Sequence, residues 1–92
     1  MNNIATLIKD PESTVVDVRT PGEFAGGHVA GSINIPLNEV PGRIDDLRSM
    51  KQIIVCCAAG GRSMQAAAIL RQHGINCTDG GSWMNVNFYK NN

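Results

Sequence analysis

Residues 53–73 limit what this chain can become more than any other stretch. Ile53-Ile54-Val55-Cys56-Cys57 is an unbroken apolar run of strand length, the pattern of a strand covered on both faces in a parallel sheet. The next six residues, Ala58-Ala59-Gly60-Gly61-Arg62-Ser63, include no large apolar side chain. From Ser63 onward, Met64, Ala67, Ala68, Leu70 and Arg71 make good helix sequence, and Gly74 is placed to end it as the C′ residue. A buried strand that feeds a helix through a small-residue loop belongs to a parallel crossover unit. The expected class is therefore α/β, an open, mostly parallel sheet flanked by helices.

The remaining segments fit that class. Ile4, Leu7 and Ile8 recur at helical spacing and stop at Asp10-Pro11, which predicts a short N-terminal helix. Thr14-Val15-Val16-Asp17-Val18 reads as a buried strand. Ser32-Ile33-Asn34-Ile35 reads as a second, closed by Pro36, which has no N–H to give to a ladder. Leu37, Val40, Ile44 and Leu47 lie three or four apart, the period of a helix face, with a break expected near Pro41-Gly42. Ile75-Asn76-Cys77-Thr78 predicts one more strand, Asp79-Gly80-Gly81 a turn, and Trp83, Val86 and Phe88 a last apolar contact set. Without repeats, linkers or low-complexity tracts, residues 1–92 are expected to form a single domain.

Charge narrows the function. Eight Lys/Arg and eight Asp/Glu cancel, and no basic run provides the footprint of a nucleic-acid binder or a membrane-surface helix. No apolar stretch approaches membrane-spanning length, and Asp10, Pro11 and Glu12 fall where a signal peptide would need an apolar run, so a cytoplasmic location is expected. Cys56, Cys57 and Cys77 are an odd number of thiols, which favours a reducing compartment or a reactive sulfur over a disulfide framework.

A cysteine ending a buried strand, just before a loop that opens a helix, faces unpaired backbone N–H groups and the positive end of the helix dipole. Both favour the thiolate, which is the nucleophilic form. Gly60 and Gly61 can take positive φ and let successive amides converge on one anion, and Arg62 adds a permanent cation with a fork suited to an oxyanion. The competing reading is structural: a packed strand cysteine followed by a loop that needs glycines to turn.

The order of motifs adds a family. Cys57-Ala58-Ala59-Gly60-Gly61-Arg62-Ser63 resembles the active-site loop of rhodanese-family sulfurtransferases. Asp17-Val18-Arg19 with Glu23-Phe24 resembles the family's first signature, and Gly27-His28-Val29-Ala30-Gly31-Ser32-Ile33-Asn34-Ile35-Pro36 is close to its second. Gly80-Gly81 with Trp83 is similar to a shortened C-terminal signature. The resemblance implies a short rhodanese-like domain in which Cys57 takes a sulfane sulfur from thiosulfate or a similar small anionic donor. It further implies a Cys57 persulfide that passes the sulfur to cyanide or a thiol, a protein thiol included. On this reading Ala58, Ala59, Gly60, Gly61, Arg62 and Ser63 form the substrate cradle, with Arg62 on the donor's oxygens. No metal or organic cofactor is called for. The Ala58-Ala59 pair, where many relatives carry a polar or basic residue, and the clipped C-terminal segment depart from the pattern.

Other residues read more plainly. Arg19 is expected to pair with Asp17 or Glu23, His28 to fix a turn, and Trp83 to cover the core. Successive strand residues point to opposite faces, so Cys56 and Cys57 cannot both face the loop; Cys56 and Cys77 are expected to be packing residues. Two rival functions remain. Counted from Cys56, five residues precede Arg62-Ser63, the spacing of a cysteine-dependent phosphatase. A non-catalytic domain that carries persulfide to, or binds, another protein would also keep Cys57.

Overall fold

The computed structural model describes residues 3–92; residues 1 and 2 of the expected 1–92 domain lie outside the described residues. The chain runs through α1 (Ile4–Leu7), β1 (Ser13–Asp17), α2 (Pro21–Ala25), β2 (Ile33–Asn34), a 3₁₀ segment (Leu37–Arg43), α3 (Ile44–Arg48), β3 (Gln52–Cys57), α4 (Gly61–Gln72), β4 (Cys77–Ser82) and α5 (Trp83–Lys90). The four strands form one parallel sheet in the order β2-β1-β3-β4. This is the expected α/β architecture.

Strand alternation divides the apolar residues between two faces. Val16, Val18, Ile53, Val55 and Cys57 pack with Ile35, Val40, Leu47, Ala66, Ala67, Leu70 and Ile75. Val15, Ile54 and Cys56 point the other way, onto Ile8, Val29 and Val86 with Ile4, Leu7, Trp83 and Tyr89 around them. β3 is therefore covered on both sides, as its unbroken apolar sequence requires. Each fully buried aliphatic side chain, such as Ile54 or Leu47, contributes about 1.5–3 kcal/mol by leaving water.

Helix α4 ends as its sequence demands. Gly74 adopts φ +72°, its N–H donates to the Arg71 carbonyl at 3.0 Å, and the Ile75 N–H donates to the Leu70 carbonyl at 2.9 Å. That is the Schellman pattern, with buried Ile75 and Leu70 as its apolar pair.

Four expectations are corrected. The strand predicted at residues 75–78 runs instead from Cys77 to Ser82, so Asp79-Gly80-Gly81 is not a turn. A two-residue advance on β3, from Val55 to Cys57, faces a three-residue advance on β4, from Asp79 to Ser82, a bulge absorbed at Gly81, φ +72°. At Gly80 a Cβ would lie 2.8 Å from Val86 Cγ2 and 3.0 Å from Ile54 Cγ2, so glycine there serves close packing. Trp83 and Val86 join the apolar contact set expected of them, on a helix, but Phe88 sits about 200° around that helix from Val86, which leaves it 59% exposed. The break near Pro41-Gly42 is displaced, because a 3₁₀ segment carries Pro41 within it and α3 begins only at Ile44. Helix α2 was not anticipated, being too short to show a period. Its capping box, Thr20 with Glu23, and Pro21 in its first turn are what hold it.

Candidate active site

In an open parallel sheet, ligands bind beyond the C-terminal strand ends, where neighbouring connections depart in opposite directions. Here that point lies between β1 and β3, since the chain leaves β1 toward β2 on one side and β3 toward β4 on the other. Cys57 closes β3 at this point, with Arg19 just beyond β1. A cleft of about 370 Å³ at the other end of the sheet is lined by residues such as Lys51, Gln52, Asn76 and Cys77, and lies away from Cys57.

Beyond Cys57 the chain turns through Ala58, Ala59 and Gly60 and enters α4 at Gly61. Gly60 has φ +105°, whereas Gly61 takes an ordinary helical conformation, so only the first glycine supplies the left-handed turn expected of both. The turn brings the Gly60 N–H to Cys57 Sγ at 3.0 Å. Ser63 is fully buried and its hydroxyl donates to the Gly60 carbonyl at 3.0 Å, locking the loop onto the helix; the rotor can turn that proton to a charged sulfur. Ala58, Ala59 and Gly61 stand exposed at the surface of the loop.

Burial pushes the Cys57 thiol up. The Ser63 hydroxyl and the amides of Ser63, Gly60 and Ala59 outweigh it and bring the thiol below its usual value. The two other cysteines shift the opposite way. Cys56, buried on the far face, is pushed up to about 12 by burial first and the Asp17 charge second. Cys77 is also raised by burial. The thiol required by a phosphatase counted from Cys56 thus points away from the loop and stays protonated.

Arg62 faces Glu23. Its Nη1 donates to Oε1 at 2.7 Å and its Nη2 to Oε2 at 3.0 Å, leaving the Nε–H and one hydrogen on each terminal nitrogen. Glu23 Oε1 also accepts from the N–H and hydroxyl of Thr20, and its carboxyl is held down at about 2 by Arg62 first and Thr20 next. From the sequence Glu23 is a partner for Arg19 and part of the first signature, not a partner for Arg62; the Thr20-x-x-Glu23 box is the sign there that the carboxylate is held. Arg19 pairs with Asp17, Nη2 to Oδ2 at 2.7 Å and Nε to Oδ1 at 3.0 Å, both side chains buried. It also donates to the Gly27 carbonyl at 2.7 Å and lies 4.7 Å from the centre of the Trp83 ring, so Trp83 covers an ion pair as well as the core. His28 stacks on Phe24 and places Nδ1 2.7 Å from the Phe24 carbonyl oxygen, the turn-fixing role expected of it.

Among the described residues no helix is long and apolar enough to cross a membrane. Comparison with known proteins matches residues 2–84 to the rhodanese-like domain family. The chain is 40% identical over 68 residues to YqhL of Bacillus subtilis, covering 74% of this chain and 52% of that protein. It is 44% identical over 61 residues to the thiosulfate sulfurtransferase PspE of Escherichia coli, covering 64% of this chain and 59% of that protein. It thus spans between half and two thirds of the length of these relatives. A rhodanese-related protein of Thermoplasma volcanium superposes with a TM-score of 0.75 at 38% identity, covering 89% of this chain and 82% of that one.

Proposed function

Because the chain belongs to the rhodanese-like domain family, we propose that it moves a sulfane sulfur from thiosulfate, or a similar small anion, to a thiol or cyanide through a persulfide on Cys57. One observation carries this reading: the Gly60 amide sits 3.0 Å from Cys57 Sγ at the mouth of α4. Among the described residues no backbone N–H is placed in this way on Cys56 or Cys77.

In the first step the Cys57 thiolate attacks the outer sulfur of thiosulfate. A new S–S bond forms, the bond to the sulfonate sulfur breaks, and sulfite leaves with the electron pair. The product is an anionic persulfide. The amides that favour the thiolate can also stabilise this anion, and no proton needs to move. In the second step cyanide or a thiolate attacks the terminal sulfur and the Cys57 thiolate departs, which restores the starting charge. Arg62, through the hydrogens Glu23 leaves free, meets the donor's oxygens. A reducing compartment such as the cytoplasm suits a chain whose three cysteines are free.

Turnover separates an enzyme from a carrier. Sulfite and thiocyanate should accumulate over many cycles when thiosulfate and cyanide are supplied. A single stoichiometric burst of sulfite with no turnover would favour the carrier reading instead.

A further inference from the structure

Glu23 lies outside the loop, yet it holds the loop's one cation. Its carboxylate takes Arg62 at two points, 2.7 and 3.0 Å, and is itself fixed by the Thr20 N–H at 3.0 Å. The other arginine at this end, Arg19, is matched by Asp17. A donor approaching Cys57 therefore meets amides and two compensated ion pairs, with no uncompensated arginine at the loop among the described residues. The Glu23–Arg62 pair is partly exposed, 37% and 34%, so its charges act through solvent as well as on each other.

We propose that Glu23 is a specificity-determining residue: by cancelling the charge of Arg62 it favours sulfur donors of single negative charge, such as an arylthiosulfonate or an organic persulfide, over dianionic thiosulfate. This rests on the sulfur-transfer reading above for its substrates. The physical cause does not, since a second negative charge gains from an uncompensated cation and gains little from a neutral pair.

Glu23→Gln removes the charge while Gln still accepts from Thr20 in a capping box and from one arm of Arg62. The first measurement needs no sulfur transfer. In a Cys77→Ser background, the rates at which iodoacetate and neutral iodoacetamide alkylate Cys57 are compared, with the adduct mapped by mass. Glu23→Gln should raise the iodoacetate-to-iodoacetamide ratio about threefold, the scale of one charge acting through a largely aqueous path. Glu23→Asp should keep the parental ratio. In the chain with Glu23 intact that ratio should stay level or rise with ionic strength, since the thiolate itself repels iodoacetate. A steep fall with salt would reveal an uncompensated cation and overturn the proposal even if the Gln variant fails to fold. The second measurement is the kcat/KM ratio for thiosulfate against benzenethiosulfonate, which Glu23→Gln should also raise about threefold. An unchanged or lowered ratio in either measurement overturns the proposal. If neither donor yields sulfur to the unmodified chain, the sulfur-transfer reading fails, and the alkylation ratio still decides what Glu23 does.

Discussion

At the residue scale, Cys57 differs from its neighbour Cys56 by one position in a strand and by the whole environment of its sulfur. Alternation turns Cys56 onto Ile54 and Val86 and turns Cys57 toward the start of α4. Cys57→Ser should abolish sulfur transfer, while Cys56→Ser and Cys77→Ser should keep most of it, as read by sulfite release from thiosulfate. Alkylation of Cys57 against pH should show a midpoint below the ordinary thiol value of about 8.5, since hydrogen bonds from Ser63, Gly60 and Ala59 favour its anion over the opposing effect of burial. A midpoint at or above that value would contradict the cradle. The alternation was legible in the sequence because it follows from strand geometry alone. The Glu23–Arg62 pair was not, because it joins residues 39 positions apart through a helix too short to announce itself.

Elements set how firmly the cradle is held. Glu23 caps α2 and anchors the α4 entry, and its carboxyl lies at about 2 instead of 4.5. A carboxyl lowered in the folded state stabilises the fold above its unfolded value, and that contribution is lost as pH falls from 4.5 toward about 2. Urea titrations across this window should therefore show a shallower acid dependence for Glu23→Gln than for the parent. On β4, Gly80→Ala should destabilise the fold by about 1–3 kcal/mol, because its methyl would press on Val86 and on Ile54 of β3. Gly61→Ala should fold normally, since a Cβ there meets nothing within 4 Å and the φ is helical. The contrast also explains the misread turn. Two adjacent glycines signal flexibility in a sequence, and only the packed neighbours reveal that Gly80 is there for lack of space.

For the molecule as a whole, the strand-loop-helix at residues 53–73 and the order of motifs were enough to read a parallel α/β sheet, and they place the proposed site beyond β3. What the sequence withheld were features fixed by distant partners: the bulge that extends β4 to Ser82, the turning of Phe88 outward on α5, and the compensation of Arg62. The sheet order itself supports the location, because the change of direction between β1 and β3 falls where Cys57 ends its strand. Four residues separate Cys57 from Arg62; on the proposed reading, inserting a glycine after Gly60 should weaken transfer by spreading the amides. The same preparation should hydrolyse an aryl phosphate negligibly. The central claim is that a sulfur atom comes to rest on Cys57. The most direct test is intact-mass analysis of the protein after thiosulfate treatment, followed by peptide mapping. The account predicts a gain of one sulfur atom, located on Cys57, removed by cyanide and absent in Cys57→Ser; added sulfur on Cys56 or Cys77, or none at all, would contradict it.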